Sequence, residues 1–323
     1  MKSQYLAAAL TLALAVPASA RLTGSYQDFG NRLSKASNAA VGNQFLSMPL
    51  PMANVLKGKW QLGVDGGYSA VDAGVVQMKG GMTSVGYTYG FADHWGVYSL
   101  AYGNSQSISG GGREAIVHPF ATGVPLDTPE YAEHTNVRGT AKLMGGGAAV
   151  VWDPLVSGED SHSLPLYAGL LVSRFSLDNA TVDYRMLTGA DAGQTGSMNL
   201  SGDYTFVSPI LGIQYARNIG QFKITPHALF IAPMDQIAQK GTITGTAPKV
   251  FNRSGDTGMT SVTDAGYQFF VIALGTNVIY RPWGLGANIG ATLFKAAVGS
   301  TLYDGVAKVI QFDLSWRWGR YAK

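Results

Sequence analysis

Ile310-Gln311-Phe312-Asp313-Leu314-Ser315-Trp316-Arg317-Trp318 alternates without a break between apolar side chains (Ile310, Phe312, Leu314, Trp316, Trp318) and polar ones (Gln311, Asp313, Ser315, Arg317). A period of two, with one apolar and one polar face, is the pattern of a strand lying between two environments. The same pattern recurs upstream. Val85, Tyr87, Tyr89 and Phe91 alternate with Ser84, Gly86, Thr88 and Gly90; Trp60, Leu62 and Val64 alternate with Gln61, Gly63 and Asp65. Phe222, Ile224 and Ala228 alternate with Lys223, Thr225 and His227.

The composition agrees with strands that meet an apolar medium. Only 13% of the 323 residues are charged, about half the share usual in soluble domains, whereas glycine, at 42 residues, is roughly twice as common as average and lacks the Gly-X-Y period of collagen. A 46% hydrophobic and 11% aromatic content excludes disorder. The net charge of +3 does not suit a nucleic-acid binder. With no cysteine there is no disulfide framework, no thiolate nucleophile and no cysteine-ligated metal.

Residues 1–20 read as a cleaved secretory signal peptide: Lys2, an apolar run from Leu6 to Val16, Pro17, then Ala18-Ser19-Ala20 before Arg21. No later segment supplies the ~20 apolar residues of a membrane-spanning helix. The nearest, Ala265 to Tyr280, is too short and carries Gln268, Gly275, Thr276 and Asn277, which fits a strand better.

Alternation marks ten strands, at about 59–71, 82–91, 95–103, 140–152, 165–177, 203–217, 221–232, 265–281, 284–295 and 306–318. Most reach the roughly 9 to 11 residues with which a tilted strand crosses a bilayer. Short connections (Ala92 to His94, Asp153 to Leu164, Asn218 to Gly220, Pro282-Trp283) take turns with long ones (Asp72 to Gly81, Asn104 to Gly139, Asp178 to Gly202, Pro233 to Asp264, Ala296 to Gly305). That parity predicts an all-β, antiparallel transmembrane β-barrel of ten strands, with eight or twelve as alternatives, short periplasmic turns and long extracellular loops. In lipid only a closed sheet leaves no edge N–H or C=O unpaired. The six tryptophans, Trp60, Trp95, Trp152, Trp283, Trp316 and Trp318, all fall at the periplasmic end of this topology. Indole is favoured at a membrane interface, so they are read as an interface girdle.

The signal peptide, the alternating strands and the aromatic last strand resemble the bacterial outer-membrane β-barrel superfamily, over residues 59–318. In that superfamily a terminal Phe or Trp is a recognition signal for the barrel-insertion machinery. Trp318 would be that residue, and the tail 319–323 beyond it is a departure from the pattern. The resemblance implies location in the bacterial outer membrane, with its lipid and lipopolysaccharide as partners. Residues 21–58, broken by Pro49 and Pro51, are either a loose periplasmic leader or a plug segment, a short helix that packs in or beneath the barrel.

A barrel works through its lumen. Asp65, Arg174, Lys223, His227, Asp313 and Arg317 are the candidate pore-lining residues, either as a constriction that selects small polar solutes or as a salt-bridge network that fills the interior. The expected function is a porin-like passive channel for small solutes. A receptor or adhesin that binds through the long loops is the main alternative, and a protease using His118 or His134 near Asp127, Glu130 and Glu133 is the remote one. The motifs assign no catalytic residues, no metal and no cofactor, and no nucleic-acid partner.

Overall fold

The computed structural model describes residues 28–116, 130–156, 162–189, 192–231, 235–246, 267–298, 301–304 and 308–320. Every alternating segment forms a strand. Ten of them make a ring: β1 (Trp60–Asp72), β2 (Val76–Ala92), β3 (Trp95–Ile116), β4 (Glu130–Trp152), β5 (Leu166–Met186), β6 (Thr195–Gln214), β7 (Phe222–Ile231), β8 (Tyr267–Tyr280), β9 (Leu285–Val298) and β10 (Lys308–Arg320). Each ring strand pairs antiparallel with the next one in the chain. The ring closes where β1 runs against β10, from Trp60 opposite Arg320 to Asp72 opposite Lys308.

The outer face of this sheet is apolar, unlike the outer face of a soluble protein. Val85, Tyr87, Tyr89, Phe91, Val97, Val150, Leu170, Val172, Leu211, Ile213 and Leu314 point outward and are exposed, while Ser69, Ser84, Thr88, Gln106, Ser173, Ser208 and Gln214 point inward and are buried. Water would drive such a continuous apolar belt into a core or an interface, so its natural solvent is lipid. None of the described helices is long and apolar enough to cross a membrane. The crossing is made by strands.

Two expectations about the connections are corrected. Asp72 to Gly81 is not a long loop: β2 starts at Val76, and the turn is closed by Ala73 N–H to Val76 O (2.9 Å) and Gly74 N–H to Asp72 Oδ1 (2.9 Å). Much of Asn104 to Gly139 and of Asp178 to Gly202 is strand as well, because β3, β4, β5 and β6 continue past the apolar belt as a projecting arm. Arg185 pairs with Glu133 across it at 2.8 Å, and the Arg113 guanidinium lies 4.5 Å from the centre of the Tyr131 ring. An arm beyond lipid needs no apolar outer face. Its residues therefore lose the apolar alternation by which the other strands are legible. Short strands extend the sheet: Asp235–Thr246 along upper β6, Thr301–Asp304 along upper β9, and Ala216–Ile219 between β7 and His162–Ser163. β10 reaches Arg320, two residues beyond Trp318, and residues 321–323 lie outside the described residues, as does the proposed signal peptide.

One helix, α1 (Asp28–Leu46), precedes the strands. It stops short of Pro49 and Pro51, which cannot continue a helix, and its last turn is closed by the Ser47 N–H donating to Asn43 O (3.1 Å). Ala36, Ala39, Ala40, Val41, Asn43, Gln44 and Phe45 are all buried, which places residues on every side of the helix in contact with something. That something is the inner face of the ring.

Candidate functional site

The inward residues divide the bore into two unequal halves. On β3 to β6 they are large: Tyr98, Leu100, Tyr102, Leu143, Tyr167, Leu171, Phe206 and Ile210 form one apolar cluster. On β8 to β10 and on β1 and β2 they are mostly small or polar, among them Gly63, Asp65, Ser69, Ser84, Gly86, Thr88, Gly275, Gly290, Asp313 and Ser315. The N-terminal segment occupies the space these small residues leave. A Cβ added at Gly86 would meet Pro49 Cβ at 3.0 Å, one at Gly63 would meet it at 2.9 Å, and one at Gly290 would meet Leu46 Cδ2 at 2.8 Å. Phe45 packs edge-on against Tyr102, with ring centres 5.8 Å apart, which joins the plug to the apolar half.

Polar contacts set the plug at successive depths. Asn43 Nδ2 donates to Ser69 Oγ (2.7 Å); Ser47 Oγ donates to Asp313 Oδ1 (2.8 Å); Ser84 Oγ donates to Ser47 O (2.6 Å). Asn288 Nδ2 donates to Leu46 O, Tyr98 OH to Pro49 O, and Gln214 Nε2 to Pro51 O (2.8 Å). Met52 N–H donates to Thr88 Oγ1 at 3.0 Å.

The plug is clasped at the end of the short turns. Asp153 is fully buried, and its Oδ2 accepts from the N–H groups of Asn54 (2.9 Å) and Val55 (3.3 Å) and from Ser163 Oγ. Its Oδ1 accepts from Leu155 N–H (3.3 Å) and Leu164 N–H (2.9 Å). His94 completes the clasp: its N–H donates to Val55 O (2.9 Å), its carbonyl accepts Asp153 N–H (2.9 Å), and its Nδ1 lies 2.8 Å from Asp153 O. Sequence reasoning missed Asn43, Ser47, Asp153 and Asn288. The signal available for Asp153 was Asp153-Pro154 in a short connection, which points to a turn and not to its partners.

Of the six pore-lining candidates, Asp65, His227, Asp313 and Arg317 are buried inside the ring. Arg317 forms a two-pronged ion pair with Asp65, the second contact running from Nη2 to Oδ2 at 3.1 Å, with side chains only 3% and 4% exposed. The Asp313 carboxylate holds the plug through Ser47. A Cβ added at Gly275 would stand 2.6 Å from the His227 ring, a clash, so Gly275 leaves room for that ring. Lys223 reaches the bore near its short-turn mouth, where with Gln61, Gln214, Thr225, Asn277 and Arg317 it borders a gap of about 10 Å³, the size of a single water.

Arg174 is the exception and corrects the expectation. It points out of the barrel, 57% exposed, on the face that carries Leu170 and Val172, and pairs with Asp203 (Nε to Oδ1, 2.9 Å). Its inward neighbours are Ser173 and Phe175, and because both faces of this strand are apolar, the sequence did not say which way Arg174 turns. His134 is buried within the arm and Glu133 is bound to Arg185, while His118 and Asp127 lie outside the described residues. Among the described residues no cluster of His, Asp and Glu could hold a metal ion.

The tryptophans point outward around the short-turn end. Trp95, Trp152, Trp283, Trp316 and Trp318 are exposed, and Trp60 is half-buried. Trp95 stacks on Trp152 at 6.0 Å, Trp60 meets Trp318 edge-on at 5.4 Å, and Trp283 meets Tyr280 at 5.3 Å.

No family model matches the chain, and no curated protein matches it. Among solved structures it is similar to the outer membrane protease OmpT from Escherichia coli (12% identity, 81% of this chain and 94% of that chain, TM-score 0.36). It is also similar to the transport unit of the autotransporter AIDA-I from Escherichia coli (12%, 91% and 99%, TM-score 0.33) and to the outer membrane protein OprG from Pseudomonas aeruginosa (11%, 83% and 99%, TM-score 0.29). Similarity at this level carries no activity across, and the fold rests on the strand pairing of this chain. By that pairing and by its apolar outer face, the protein is a ten-stranded antiparallel β-barrel of the membrane-spanning kind, with its own N-terminal segment packed inside the ring.

Proposed function

We propose that the protein is an integral outer-membrane channel for small solutes, with its short turns and tryptophan girdle on the periplasmic side and its N-terminal segment closing the bore at rest. One observation carries this reading: on β1, β2 and β8 to β10 the wall beside the plug is built mostly of small and polar residues, such as Gly63, Ser69, Ser84, Gly86 and Gly290. A barrel that served only as a solid post would fill its bore from its own walls, as the β3 to β6 half does. The small-residue half instead leaves a bore for a separable segment. The seam between the two is incompletely satisfied. Gln44 Oε1, Gln214 Oε1 and Asn288 Oδ1 are buried without a hydrogen-bond partner among the described residues.

The absence of cysteine allows a direct test. A Cβ at Gly42 would stand 3.0 Å from Thr292 Cβ, inside the roughly 3.5–4.5 Å between the β-carbons of a disulfide, so a shift of about half an ångström lets a cysteine pair bridge there. In planar bilayers the G42C/T292C protein is expected to give discrete conductance steps when reduced and none when oxidised. Silence in both states rejects the channel; equal conductance in both states rejects the plug as its gate. The projecting arm, braced by Arg185 and Glu133, favours a second reading as a surface receptor, and loss of partner binding on shortening the β3–β4 arm would support it.

A further inference from the structure

From the direction of α1 we infer that the barrel threads its N-terminal segment through the bore and displays the start of α1 on the outer side of the membrane, a function separate from conduction. The inference rests on the orientation proposed above. The contacts of the N-terminal segment form a ladder along the barrel wall. Residues Asn54 and Val55 are held at the short-turn end by Asp153 and His94. Pro49 lies against Gly63 and Gly86. Ser47 bonds Asp313, which is opposite Gly67, and Asn43 bonds Ser69. Ser37 Oγ approaches Met78, which is opposite Val71, and Ala36, Ala39 and Ala40 pack with Val71, Ala73, Val75 and Val76 around the β1–β2 turn at the long-loop end.

Moving backwards along the chain from Val55 to Ala36 therefore climbs the full height of β1. The helix continues for eight more residues to Asp28, which at 1.5 Å per residue adds roughly 12 Å in the same direction. The chain enters the bore beside Lys57 on the short-turn side, and the end of α1 leaves it at the long-loop mouth, level with the arm. A leader lying beneath the barrel would have reversed this order, with the helix contacting Gln61 and Thr88 rather than Val71 and Met78. The start of α1 and the end of β10 thus come to lie on opposite sides of the membrane.

Single cysteines in this cysteine-free chain locate each point. Cells producing D28C, N136C (on the arm) or K57C (at the short-turn end) are treated with a membrane-impermeant maleimide before and after permeabilisation of the outer membrane. Labelling of D28C and N136C on intact cells, with K57C labelled only after permeabilisation, is the expected result. N31C serves as a second reporter if D28C accumulates poorly. Labelling of N136C but not of D28C or N31C on intact cells overturns the threading while leaving the orientation in place. Labelling of K57C but not N136C on intact cells overturns the orientation, and the inference falls with it.

Discussion

The Asp153 carboxylate, in the turn between β4 and β5, accepts the backbone N–H of Asn54 at 2.9 Å and so fixes the foot of the N-terminal segment to the barrel wall. Asn54 adopts a positive φ of 59°, which turns the strap so that its N–H and that of Val55 face the same oxygen. Two plug amides, two turn amides and the Ser163 hydroxyl converge on one buried side chain.

Replacing Asp153 by alanine removes the shared acceptor of all five, and the Asn54 N–H keeps Ser163 Oγ at 2.8 Å as a second acceptor. Hydrogen bonds to a charged group are worth about 1.5–3 kcal/mol each before the structure relaxes, and D153A is expected to lose about 3 kcal/mol of stability in urea titrations of the detergent-solubilised protein. The same variant is expected to open more often in bilayers. An unchanged open probability would place the clasp outside the gate.

Asp65 and Arg317 test the lumen. R317M leaves a buried carboxylate unpaired and is expected to cost about 3–5 kcal/mol, while the D65L/R317M pair recovers most of that loss. The comparison is read from unfolding midpoints of the two variants. If the double variant is no more stable than the single one, the pair is not the source of the cost.

G86V tests the fit between plug and wall. Its side chain would collide with Pro49 and with the Tyr98 ring, which is already 2.9 Å from the Cβ position. Overpacking of this kind costs about 1–3 kcal/mol, and displacement of the plug is the cheaper relief. Higher conductance with little change in barrel stability is the expected outcome, measured by bilayer recording and by heat-modifiable gel migration.

Outward positions should respond to lipid alone. L314R puts a cation on the apolar belt and is expected to cost about 2–4 kcal/mol if it lies near the midplane, seen as loss of the folded, heat-modifiable form in membranes. R174A removes one partner of an exposed pair, and is expected to leave both ion selectivity and stability as they are. A change in selectivity would return Arg174 to the conduction path.

The sequence alone determined the barrel. A period of two is a local code, and residues such as Asp313 and Leu314 reveal their opposite faces without reference to any other part of the chain. The tryptophans at one end are legible for the same reason, since strand direction alternates with each turn. Tertiary structure decided what the bore contains. Ser47 meets Asp313 across 266 positions, and Asn54 meets Asp153 across 99; no local pattern encodes such partners. Small inward residues announced space without saying what fills it, because a glycine opposite a pore and a glycine opposite Pro49 read alike in one dimension. The outward turn of Arg174 and the extension of β3 and β4 into an arm were likewise settled by pairing between strands, where register, not composition, selects the face.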